Sequence, residues 1–214
     1  LNGAANTFTD QVDFANTGLV TLGDADTDSS TFAGGVTFSA NAASALQGAF
    51  VTTNTNANFG TGGVTLGGNT TITTGAGAGD IAFGAGITDG AGAFNLGLTA
   101  GTGAVTVATT TAINNLTLTQ AASNTFTGNV TVNDLITTAN SGTITLNGAA
   151  NTFVAAVSFL DTDAVTLGTS AFNGGVSFTA ATPITLRGDI TTSGAVDFLA
   201  GGVTLTANSS VATT

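Results

Sequence analysis

Few side chains in this 214-residue chain can do chemistry, and nearly all of them are aspartates. Asp24-Ala25-Asp26-Thr27-Asp28 sets three carboxylates on alternate residues of one short segment. A hard cation such as Ca²⁺ takes several oxygens from one turn in this way. The segment lacks the glycine and distal glutamate of a helix–loop–helix calcium loop, so a solvated acidic corner competes with metal binding there. Asp161 and Asp163 form a second, shorter acidic pair. Gly75-Ala76-Gly77-Ala78-Gly79-Asp80 approaches the glycine–aspartate nonapeptide of calcium β-rolls, but out of register and unrepeated. Arg187-Gly188-Asp189 spells a cell-attachment tripeptide, which must project from a loop to be read; a local Arg–Asp surface pair is the plainer reading. Asn69, Asn115, Asn129 and Asn208 head glycosylation sequons.

That inventory excludes more than it supports. Without His, Lys, Glu, Cys or Tyr, acid–base catalysis is left with Asp and one Arg. A pair of aspartates can act as glycosidase carboxylates. Asp161 with Asp163 is the nearest candidate for it, and nothing around them is set to raise a pKa. The expectation is a chain that is not an enzyme. A net charge of −11 argues against nucleic acid and anionic membrane surfaces as partners. No apolar run reaches about 18 residues, so no helix is expected to span a membrane. The absence of cysteine removes disulfides from the account. A start at Leu1 without a signal peptide fits a processed or excerpted segment.

What positions these residues is a repeat. Val157-Ser158-Phe159, Val176-Ser177-Phe178 and Val196-Asp197-Phe198 begin 19 and 20 residues apart. Val165-Thr166-Leu167, Ile184-Thr185-Leu186 and Val203-Thr204-Leu205 interleave with them, 19 and 19 apart. In each tripeptide the outer residues are apolar and the middle one polar, so strand alternation sends the first and third inward. Two interleaved strand series with one period predict a coil that returns to the same place, a single-stranded parallel β-helix of about 19–24 residues per coil. Like residues then stack about 4.8 Å apart, with Phe159, Phe178 and Phe198 in one interior column and Leu167, Leu186 and Leu205 in another. A single coil buries little; its neighbours complete the core.

Composition agrees. Only 6% of residues are charged, against about 25% in ordinary domains. All 12 acids are Asp, which favours turns, and none is Glu, which favours helices. Roughly a fifth of the chain is Thr, suited to the outer face of a sheet. Residues 1–8 recur as 146–153, and the match runs on through Phe14 and Phe159 to Phe38 and Phe178. The first copy carries five extra residues within 24–31, an expected corner loop. The 39–120 stretch keeps the rhythm through cores such as Val64-Thr65-Leu66 and Leu96-Gly97-Leu98. Residues 1–214 therefore read as one continuous solenoid of roughly 10 to 11 coils, about 50 Å long.

The segments 118–132 and 146–159 resemble the autotransporter-associated β-strand repeat: leucine, small residues, Asn-Thr-aromatic, then Gly and a strand. The aromatic here is Phe where that family often has Tyr. Residues 79–106 are similar to repeats of filamentous-haemagglutinin-type bacterial surface proteins. The resemblance implies a right-handed parallel β-helix, secreted and displayed on the cell surface as stalk, adhesin or fibre. With one Arg and no Lys, the chain offers trypsin almost nothing, which suits an extracellular place. The functional expectation is a structural rod whose partners are copies of itself end to end, or flanking repeats of the same chain. The alternative is an adhesin passenger binding a surface glycan or receptor. Remoter readings are a polysaccharide-acting β-helix enzyme and an ice-binding protein. Ice binding asks for regular Thr-x-Thr arrays, whereas the outward Thr is usually flanked by Gly or Ala, as Thr65 is by Gly63 and Gly67; Thr143 with Thr145 is one exception and Thr204 with Thr206 another. No cofactor is expected beyond the candidate calcium at Asp24, Asp26 and Asp28.

Overall fold

Parallel pairing fixes the architecture. The computed structural model describes residues 1–40, 43–90, 92–161, 163–179, 182–198 and 201–214. Among them are 26 strands and no helix, and the chain is a β-solenoid. The expected registers are present. Val157–Phe159, Val176–Phe178 and Val196–Phe198 pair residue for residue, as do Val165–Leu167, Ile184–Leu186 and Val203–Leu205. Phe159, Phe178 and Phe198 stack with ring centroids 5.0 and 5.4 Å apart and planes within 13°.

Each coil has a third strand that the two sequence series do not reveal. The first ladder runs from Ala5–Phe8 to Val196–Phe198, the second from Val12–Asp13 to Val203–Leu205, and the third from Val20–Leu22 to Val211–Thr213. The chain visits first, second and third in turn. The second ladder is a separate sheet of 10 strands. Four long strands, Ser44–Thr52, Val64–Thr73, Thr111–Gln120 and Val130–Thr137, cross the corner from third to first ladder and fuse those two into one sheet. Ten rungs at about 4.8 Å give a three-sided shaft about 48 Å long. One coil is longer than the expected range. Asn69 and Asn95 are rung neighbours 26 residues apart, because the chain makes an excursion that Asp89 closes by accepting the Phe94 N–H at 3.2 Å.

Side-chain alternation fills the shaft with columns. In the second ladder Val12, Val36, Ala57, Ile81, Val105, Asn124, Ile144, Val165, Ile184 and Val203 follow one another through ten rungs. Asn124 is the one polar member, and its Nδ2 is satisfied by the Ser141 carbonyl. The third ladder turns polar residues inward: Asn151 is buried and donates to Gly148 O, Thr169 O and Ser170 Oγ, while its Oδ1 accepts Val130 N–H at 2.9 Å. Buried amides tolerate this because each is paired.

The two sequence copies do not occupy the same faces. Residues 5–8 lie in the first ladder, while their equivalents Asn151–Phe153 lie in the third; Val20–Leu22 is in the third and Val165–Leu167 in the second. Between the copies the chain takes a number of strands that is not a multiple of three, so the second copy is turned by one face. Its local packing is nonetheless reproduced. Phe14 meets Phe32 edge-on at 6.4 Å and 80°, and their counterparts Phe159 and Phe172 meet at 6.4 Å and 80°. The Phe-x-Gly-Gly-Val turn is likewise formed at two different corners. Gly35 has φ 97° and donates to Phe32 O at 2.8 Å, and Gly175 has φ 105° and donates to Phe172 O at 3.0 Å. A Cβ is disfavoured at both. The faces are thus interchangeable to a sequence that carries its own corner.

A buried ring sandwiched between two others has no room to relax when removed. Phe178→Ala should lower stability by about 3–5 kcal/mol, whereas Thr166→Ala on the outer face should stay within about 0.5 kcal/mol of the parent. Paired urea denaturations measure both; equal losses would contradict the column.

Candidate binding surface

A run of aspartate and amide side chains lies along the corner between third and first ladders. The expected corner loop lies there, between Val20–Leu22 and Ser29–Phe32. Asp28 shapes it: its Oδ2 accepts the Asp24 N–H at 2.9 Å and the Ala25 N–H at 3.2 Å, and the Asp28 N–H donates back to Ala25 O at 3.0 Å. Asp26 points away from that turn and along the shaft. It accepts Gln47 Nε2 at 2.9 Å, Asn69 N–H at 3.1 Å and Asn69 Nδ2 at 2.7 Å. The relay continues upward. Asn69 Oδ1 accepts Asn95 N–H at 3.1 Å, and Asn95 Oδ1 accepts Asn114 Nδ2 at 2.9 Å. Asn133 Nδ2 then donates to Asn115 Oδ1 at 3.2 Å. Stacking places successive amides one rung apart, which is the condition for such a ladder.

This geometry splits the candidate calcium triad. Asp24 and Asp28 are neighbours, and the hydrogen bond between their carboxyls raises the Asp24 pKa above 3.8, while the backbone N–H of Asp24 holds Asp28 below it. Asp26 is lowered by the Gln47 and Asn69 amides, which bond to its ionised form. Three oxygens do not converge, and among the described residues no group of three or more acidic side chains is placed to hold an ion.

The other candidates are dispersed. Asp161 is buried with its Oδ1 on the Asp163 N–H at 2.8 Å, whereas Asp163 is exposed. Asp80 closes the glycine-rich 74–80 corner by accepting the Ala104 N–H of the next coil at 2.7 Å. The Arg-Gly-Asp tripeptide lies flat instead of projecting. Arg187 reaches down the shaft to Asn147 Oδ1 at 3.3 Å, Asp189 reaches up to Ser210 N–H and Oγ at 2.9 and 2.8 Å, and a Cβ on Gly188 would stand 2.5 Å from Thr169 N. The Asn69 sequon amide is already bonded to Asp26. In the second ladder Thr106, Thr125, Thr145, Thr166, Thr185 and Thr204 stack outward in single file. No single Val-Thr-Leu shows the continuous file; Ala164 and Gly168 flank it at Thr166, while Thr127, Thr143 and Thr206 widen it beside Thr125, Thr145 and Thr204.

Beside the amide corner, the outer face of the first ladder is notched. A groove of about 370 Å³ passes over Ala49, Thr71, Gly97 and Thr117, with Asn69 and Asn95 on its corner side. Sequence reasoning takes Leu96-Gly97-Leu98 as a strand core and misses the notch; the glycine in mid-strand is the signal that marks it. No family model matches the chain, and neither a curated protein nor a solved structure matches it.

The Asp loop has a measurable signature. Carboxyl carbon shifts followed by NMR against pH should titrate Asp26 and Asp28 below 3.8 and Asp24 above it. The sign for stability follows: the depressed Asp26 and Asp28 hold the loop above the ordinary carboxylate range, and their support is lost as pH falls through their folded values. Three overlapping titrations would show that the loop is open in solution.

Proposed function

We propose that this chain is a non-catalytic structural rod of the cell exterior, one length of a surface fibre whose rungs continue beyond each unit. The supporting observation is the way rungs cover one another. Ile144, Leu146, Phe159, Val165 and Phe178, each with a rung on either side, are 0% exposed. A further rung is what buries these columns. A second copy supplies one in matching chain order. Its Ala5–Phe8, Val12–Asp13 and Val20–Leu22 would follow the first, second and third ladders, setting Phe8 over Phe198 and Val12 over Val203. A flanking repeat of the same chain would meet the same need. Because the two ends of such a shaft differ, copy-to-copy docking is head to tail and propagates.

Repulsion opposes that docking, since each copy carries a net charge of −11. Salt screens it over about 8–10 Å at physiological strength. Negative-stain images of the 214-residue chain should show rods about 48 Å long, joined lengthwise and more so as salt is raised. Round particles at every concentration and salt would rule the reading out.

A further inference from the structure

The glycine at the centre of the first-ladder groove is not required by the fold. Gly97 sits in the middle of Asn95–Thr99, and its φ is outside the left-handed region. A Cβ built there meets only the Thr71 Cγ2, at 3.4 Å, an ordinary contact. The register shift of this strand against Thr111–Gln120 falls between Leu98 and Thr99, past Gly97, which pairs in register with both Thr71 and Thr117, and no corner or close backbone approach asks for a residue without a side chain there. Glycine inside a strand weakens it relative to alanine, and threonine suits the position better still. The rungs below and above follow that preference with Thr71 and Thr117 in the same outward column. Glycine inside a strand also marks a place where a ligand can approach the backbone, and the gap between the two threonines leaves room for one.

We propose that this groove binds a neutral saccharide chain, with one sugar ring seated over Gly97 between Thr71 and Thr117. The two threonines stand two rungs, about 9.6 Å, apart. Among the described residues, the hydroxyls of Thr71, Thr99 and Thr117 and the Nδ2 of Asn95 have no partner within the chain, and all of them line the groove. Hydroxyls both donate and accept, and the amide donates twice, which matches vicinal sugar hydroxyls. The threonine methyls offer apolar contact to ring C–H groups. The charge of the ligand follows from the walls. Asp26 stands at one end of the groove, and the only basic side chain, Arg187, lies on a different corner. An anionic chain finds no cation here and one carboxylate against it. The site stands on the fold alone and does not depend on the rod being a fibre.

The test is affinity electrophoresis of the 214-residue chain through gels holding galactomannan, xyloglucan or dextran, with polygalacturonate as the anionic control. At least one neutral polysaccharide should retard the chain and polygalacturonate should not. Gly97→Thr should weaken that retardation at least tenfold and Asn95→Ala several-fold. Melting of Gly97→Ala and Gly97→Thr should be unchanged or raised by about 2 °C. Rods in negative stain should be unaffected by either change. No retardation in any neutral gel, equal retardation of Gly97→Thr, or retardation by polygalacturonate alone would overturn the site. A fall in melting temperature for Gly97→Ala would show the glycine to be structural and overturn it as well.

Discussion

Parallel strands in register bring each side chain directly over its counterpart one coil below, and everything else in this molecule follows from that. A coil of about 20 residues has no interior of its own. It gains one when Phe178 lies between Phe159 and Phe198, or when Leu186 lies between Leu167 and Leu205. The column does not demand identity. In the second ladder Phe83, Val107, Phe126, Leu146 and Leu167 follow in sequence, so aromatic and aliphatic residues share one file. What the column demands is inward polarity of the right kind, and where Asn124 or Asn151 breaks the apolar run, a hydrogen bond closes the account.

The same constraint explains how the copies can sit on different faces. A strand and its following corner form a unit that knows its rung neighbours but not its place around the shaft. The Phe-x-Gly-Gly-Val turn has the same conformation at both of its corners, and the edge-on phenylalanine pair keeps its distance and angle. Specificity therefore resides in the loops. The two longest excursions, one shaped by Asp28 and the other by Asp89, both lie on the corner between third and first ladders, and the amide relay runs between them. The irregularity of the coils is greatest on that corner.

The fold was largely legible because the period is written in apolar residues. Val-Ser-Phe and Val-Thr-Leu announce their columns by type and spacing. Val64–Leu66, a third-ladder strand, was legible as a core, but in the 151–205 stretch the third ladder was hidden because its inward positions include Asn151 and Ser170, which read as turn residues. The acidic loop was legible as a corner but not as a divided cluster, since the partners of Asp26 lie 21 and 43 residues away on other coils. Gly97 passed as one more small residue; only its unoccupied Cβ space and its ordinary φ distinguish it from the glycines that turn corners.

Cysteine pairing tests the register most directly, on a chain that has no cysteine of its own. Ser158 and Ser177 stand side by side with hydroxyls 2.9 Å apart, and adjacent strands lie within disulfide reach. Mild oxidation of the double variant Ser158→Cys, Ser177→Cys should give one intramolecular disulfide by mass spectrometry, while Ser158→Cys, Thr166→Cys, the pair a hairpin would join, stays reduced. The reverse outcome would contradict the stacked coil.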